Sequence, residues 1–222
     1  MTDAVRRRGV FVVLEGPEGA GKTTQAARLA EWARAGGLEV RTVREPGGTA
    51  IGEAIRSHLW VRTDLEIGPV PELLLVSAAR AALVTEVIVP ALERGEVVLA
   101  DRFALSTLAY QGYGRGLDLQ HIRQVTELAT GGVGPDVTLL LDLPDEAGTA
   151  RQRAAGKHHD RMERQGAEFL VRVQRGYREL AATEPGMVRI DGTGSVEAVE
   201  ARLREALVAE LPEFFGSLPT GS

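Results

Sequence analysis

Gly16-Pro17-Glu18-Gly19-Ala20-Gly21-Lys22-Thr23 lies between an apolar run, Val10 to Leu14, and a helix-patterned stretch from Lys22 to Ala35. The spacing is G-x-x-x-x-G-K-[ST], and a strand before it with a helix after it is the setting that this motif requires. Glycines let backbone N–H groups converge on phosphate oxygens at a helix start, where the helix dipole also favours negative charge. Lys22 adds a positive charge, and the Thr23 hydroxyl suits a Mg²⁺ ion bridging terminal phosphates. The stretch predicts an α/β nucleotide-binding protein, an ATP-using phosphotransferase.

On either side of this loop, short apolar runs alternate with amphipathic stretches, the pattern of a parallel sheet covered on both faces. The strand candidates are Val10–Leu14, Val40–Val43, Val97–Ala100, Val137–Leu141 and Met187–Ile190. Helices are expected over 22–35, 51–59, 71–94 with Pro90 as a kink, 145–150, 167–182 and 196–211. A charged stretch over 151–165 lacks apolar periodicity and reads as a flap, and residues 214–222 read as a loose tail after a single domain over 1–213.

The 222 residues suit one sizeable core. A net charge of -5 speaks against a broad grip on nucleic acid. No cysteine is present, so disulfides, thiolate chemistry and Cys-based zinc sites are excluded. Met1 to Arg8 is basic and precedes too short an apolar run for a signal core or a membrane span. The expectation is a soluble cytoplasmic protein with no nucleic-acid or membrane partner.

Two strand candidates end in an acid, Asp101 and Asp142, and ligands of open α/β sheets bind at such strand ends. Asp101 is preferred as the acid near Mg²⁺, because Arg102 follows it and places a cation beside a phosphate in the same turn. No N-K-x-D segment is present to read guanine, which lowers a GTPase reading; a small-molecule kinase fits the length. Such an enzyme needs a water-excluding lid, and since the loop has no Arg, the segment holding Arg151, Arg153, Arg161 and Arg164 is the candidate source of guanidinium groups. His158 and His159 have no partner at metal-ligand spacing.

Over most of its length the chain resembles the thymidylate kinase family. The resemblance is carried by Glu15 to Thr24, by Arg44-Glu45-Pro46-Gly47-Gly48-Thr49, by Asp101-Arg102-Phe103 running through Ser106 to Ala109-Tyr110-Gln111-Gly112, and by Asp160-Arg161-Met162-Glu163. The last segment and the Arg-free loop resemble members whose catalytic arginine is in the lid. The resemblance implies the P-loop NTPase fold with a five-stranded parallel sheet and a lid, and transfer of the γ-phosphoryl group of ATP to dTMP in a homodimer. It implies further that Gly16 to Thr24 bind ATP, that Glu18 bonds the 3'-hydroxyl, and that Arg56 and Arg102 hold the acceptor phosphate. Arg80, Thr107 and Gln111 would face thymine and Tyr110 the sugar, while Lys22, Arg102, Arg153 and Arg161 would stabilise the transferring charge, with Thr23 and Asp101 at the metal. A kinase for another monophosphate or small metabolite, or a non-catalytic nucleotide-binding module, are the rival readings.

Three positions depart from the family pattern. Val76 stands four residues before Arg80, where the family commonly has a Phe stacked on the base, Ala82 stands where many relatives have Gln, and Ala155 where some lids carry a further Arg. The missing ring predicts weaker dTMP binding or relaxed base choice unless Phe103 or another ring compensates.

Overall fold

The five apolar runs form strands β1 (Val10–Glu15), β2 (Val40–Arg44), β3 (Val97–Asp101), β4 (Val137–Asp142) and β5 (Met187–Asp191). The structure, a computed structural model, describes residues 8–61, 65–144, 148 and 166–220. All strands pair in parallel in the order β2-β3-β1-β4-β5, so β1 sits at the centre. The predicted strands each extend by one residue into the loop that follows.

Helices α1 (Lys22–Ala35), α2 (Ala50–Arg56), α3 (Pro69–Leu83), α4 (Val89–Glu93), α5 (Ala104–Thr107), α6 (Leu119–Thr130), α7 (Ala167–Thr183), α8 (Val196–Glu210) and α9 (Pro212–Phe215) accompany the sheet. Alternation along β1 shows why both faces must be covered. Val10, Val12 and Leu14 pack with α1 and α8 residues such as Leu29 and Leu203, whereas Phe11 and Val13 pack with Leu83, Val84 and Ile88.

The stretch Pro69–Glu93 is one helical run of 25 residues, long and apolar enough by composition to cross a membrane. Here it is a core element, joined to the second face of the sheet through Leu83, Val84 and Ile88. A π-helical turn over Val84–Ile88 precedes Pro90. Proline lacks the N–H for the ordinary bond and its ring crowds the preceding turn, which a wider turn relieves without a break.

The loose tail is corrected by the structure for residues 214–220. Phe215 is fully buried, its ring stacks on Trp32 at 5.6 Å, Leu218 joins the core, and the Trp32 indole donates to the Pro219 carbonyl at 2.7 Å. Gly, Ser and Pro around these residues hid two apolar anchors, Phe215 and Leu218. The helix expected over 145–150 and the lid over 151–165 fall outside the described residues, apart from Gly148.

Candidate active site

Parallel pairing sets Leu14 opposite Asp101 and Glu15 opposite Leu140, so the loop after β1 and the turn after β3 leave the sheet side by side. These are carboxyl ends of adjacent strands at the middle of the sheet, where ligands of open α/β sheets bind. Gly16 could not be replaced freely: a Cβ there would come within 2.6 Å of the Leu141 carbonyl oxygen. Gly21 caps α1 at a φ of 93°, and no side chain among the described residues caps that helix. The first amides of α1 are thus left for an anion.

Lys22 is buried and lies back across the loop, its Nζ donating to the carbonyls of Gly16 at 2.9 Å and Pro17 at 2.8 Å. Burial and the nearby charge of Arg102 lower its pKa to about 8, against the opposing carboxylates of Glu18, Asp101 and Glu15. The adjacent Thr23 hydroxyl donates to Asp101 Oδ2 at 2.5 Å. Two hard oxygens thus meet one residue from the ammonium group, a donor set that fits Mg²⁺ bound partly by waters and phosphates. Asp142, the weaker candidate, is engaged elsewhere, with Arg189 at 2.5 Å.

Arg102 is the hub of the acceptor side. Its φ of 75° is unusual for a residue with a side chain, and the surroundings hold it there. The backbone N–H bonds the Leu14 carbonyl at 3.0 Å. The guanidinium pairs with Glu18 and donates to the Tyr110 hydroxyl at 3.0 Å, the Tyr177 hydroxyl at 2.9 Å, Ser106 Oγ at 3.1 Å and the Gly16 carbonyl at 3.2 Å. Tyr110 also donates to Glu18 at 3.0 Å, and its ring lies 5.0 Å from the guanidinium carbon. Burial works against ionisation of Glu18, but Arg102, Lys22 and these hydrogen bonds outweigh it and hold its carboxyl down to about 2. Burial pushes the Tyr110 hydroxyl well up, so it remains a donor.

Beneath this hub lies Glu15, a fully buried acid whose role no local sequence pattern marks. It accepts from Phe103 N at 2.9 Å, Ser106 N at 3.1 Å, Ser106 Oγ at 2.7 Å and Tyr177 OH at 3.0 Å. One carboxylate therefore fixes the turn that carries Arg102. Nothing in local sequence pattern marks Tyr177 as part of it, since it comes from α7 on the far side of the lid segment.

The other end of the site is built on α3. Arg80 is 2% exposed and forms a fork with Glu45, Nε reaching Oε1 at 3.0 Å and Oε2 at 2.9 Å, and Nη2 reaching Oε2 at 2.6 Å. Burial pushes the Glu45 carboxyl up, and the Arg80 charge opposes that shift. Nη2 also donates to Thr107 Oγ1 at 2.8 Å and to the Phe103 carbonyl at 3.1 Å, while Nη1 is buried without a hydrogen-bond partner among the described residues. Such an orphan donor points to an absent acceptor. Gln111 is equally buried and is held by Glu72. Arg56 donates to the Pro46 carbonyl at 3.1 Å, next to Glu45.

The structure thus brings Lys22, Thr23 and Asp101 together, Glu18, Arg102 and Tyr110 together, and Arg80 with Thr107. Phe103 itself is a core ring: it is 2% exposed, edge-on to Phe11 at 5.0 Å and 5.3 Å from the Arg80 guanidinium carbon. Val76 packs with Ile55, Leu59 and Ala79. Arg153 and Arg161 lie outside the described residues.

The family described as thymidylate kinase matches residues 14–203. A thymidylate kinase of Synechococcus sp. is 52% identical over 204 residues, covering 91% of this chain and 96% of the relative. One from Deinococcus radiodurans is 48% identical over 201 residues, covering 90% and 97%. The crystal structure of thymidylate kinase from Ehrlichia chaffeensis superposes with a TM-score of 0.73 at 31% identity, over 90% of this chain and 99% of that one.

Proposed function

This chain belongs to the thymidylate kinase family and is a kinase that phosphorylates dTMP to dTDP, and we propose that it transfers the γ-phosphoryl group of Mg-ATP in line to the acceptor phosphate. The observation that carries this reading is the neighbourhood at the ends of β1 and β3: Lys22 and the uncapped start of α1 beside Thr23–Asp101, with Arg102 anchored next to them.

In this reading Gly16 to Thr24 wrap the donor phosphates, with Pro17, Gly19 and Ala20 forming the bend and Gly21 starting the helix. Lys22 leaves the two carbonyls it now bonds and follows the transferring group. Thr23 and Asp101 would hold Mg²⁺, which when bound spreads the charge developing between the terminal phosphates. Arg102 and Arg56 hold the acceptor phosphate, so that its ionised oxygen attacks without a general base. Glu18 and Tyr110 receive the deoxyribose, and Arg80, Thr107 and Gln111 the base. The orphaned Nη1 of Arg80 suits a pyrimidine carbonyl.

Arg153 and Arg161, from the segment over about 151–165, supply guanidinium charge to the transferring group as arginine fingers. The chain acts as a single domain and as a homodimer in the cytoplasm, with no nucleic-acid or membrane partner. Val70 and Leu74 of α3 and Ile51 of α2, large apolar side chains exposed on two helices that touch, support self-association.

The test is ADP release across dTMP, dUMP, UMP, CMP, AMP and GMP. The highest kcat/KM is expected with dTMP. Silence with every acceptor would leave only a nucleotide-binding module, and a preference for another monophosphate would move the substrate assignment.

A further inference from the structure

Glu72 lies in the first turn of α3 with no solvent exposure. Gln111 Nε2 donates to its Oε1 at 2.8 Å. Arg115 donates through Nε to Oε1 at 3.1 Å and through Nη2 to Oε2 at 2.8 Å, and its guanidinium carbon sits 4.7 Å from the centre of the Phe169 ring. The start of a helix adds a favourable potential for the carboxylate. This cluster joins α3, the turn carrying Gln111, and α7.

A carboxylate paired with arginine only accepts hydrogen bonds. The Gln111 side chain, 3% exposed, must therefore turn its NH₂ group towards Glu72, because the flipped amide would set two acceptors against each other in a buried place. An amide fixed in this sense keeps its carbonyl oxygen as the acceptor for a base edge. Thymine and uracil carry an N3–H donor on that edge, whereas cytosine carries an unprotonated N3 acceptor.

We propose that Glu72 is a positioning residue for base choice: by fixing the sense of the Gln111 amide, it makes the site select a pyrimidine imide N–H over the cytosine edge. This rests on the reading above that Gln111 meets the base, and it adds the element that decides which face of the amide is offered.

The experiment compares wild type, Glu72→Gln and the double variant Glu72→Gln/Arg115→Gln with dTMP and with 5-methyl-dCMP, which differ only at the N3–C4 edge. With an amide at position 72, Gln111 can pair in either sense. The kcat/KM ratio of 5-methyl-dCMP to dTMP is expected to rise about tenfold, near the worth of one net hydrogen bond, while the dUMP-to-dTMP ratio stays unchanged. A Glu72 that only supports the fold would lower kcat/KM for all acceptors together. An unchanged 5-methyl-dCMP ratio in a variant that melts cooperatively overturns the proposal. The double variant removes the guanidinium left without its carboxylate, so the ratio is still read if the single variant does not fold. Failure of wild type to use dTMP sinks the parent reading instead. If wild type uses dTMP but Gln111→Ala leaves the dTMP KM unchanged, the premise about Gln111 is what fails, and the proposal with it.

Discussion

At the phosphate end of the site, Lys22 rests on main-chain carbonyls of its own loop; at the base end, polar side chains are clamped by buried carboxylates from distant elements. Lys22 bonds the carbonyls of Gly16 and Pro17, groups it can leave when a triphosphate arrives. Arg80 and Gln111 are locked by Glu45 and Glu72, separated from them by 35 and 39 positions in the chain. The contrast matches two tasks. Moving charge along a reaction path needs release from weak anchors, whereas choosing a base needs donors and acceptors that cannot turn to suit the wrong partner.

The sharpest way to break this contrast is Lys22→Met. Turnover should fall about a thousandfold or more, since a phosphate-facing cation is lost. Stability at pH 7 should hold or rise: a lysine lowered from 10.5 to about 8 by burial weakens the folded state below that pH, a penalty that fades as pH rises from 8 to 10.5. Mg-ATP binding to wild type at pH 8 should take up about half a proton, read from binding enthalpies in two buffers, and Lys22→Met should abolish the uptake. Retained turnover in the variant would remove Lys22 from its role.

Glu45→Ala attacks the base end. It strands a buried guanidinium and should cost about 3–5 kcal/mol in denaturant unfolding. A loss below about 1 kcal/mol would mean that Arg80 is not locked as described.

Between the two ends lies Glu18, whose carboxyl is held near 2 against an ordinary 4.5 by Arg102, Lys22 and Tyr110 despite burial. A lowered carboxyl adds stability that is present above pH 4.5 and lost as pH falls through 2. Glu18→Gln should remove about 1–2 kcal/mol at pH 7 and flatten the acid side of the stability curve within that window. An unchanged acid limb would detach Glu18 from Arg102.

The smallest effect is expected from Val76→Phe. A ring at this position should lower the dTMP KM severalfold if it reaches the base. Because Val76 packs on Ile55 and Leu59, the ring also has to displace core contacts at a cost of about 1–3 kcal/mol. An unchanged KM in a folded variant would show that base stacking is not what this chain lacks.

The amino-acid sequence by itself determined the strands, the phosphate loop and most of the helices that flank the sheet, though not α6, because these rest on local spacing: apolar alternation and glycine freedom. It also carried the family, through motifs whose order follows from the chemistry of holding phosphates. Tertiary structure alone decided the roles of Glu15, Glu45, Glu72 and Tyr177, since a lone Glu or Tyr in a helix or loop looks the same whether solvated or buried. It also decided that Phe103 belongs to the core and that Phe215 and Leu218 anchor the end of the chain. Burial of a carboxylate is tolerated only where donors from several elements converge on it, and that convergence exists only once the sheet has brought those elements together.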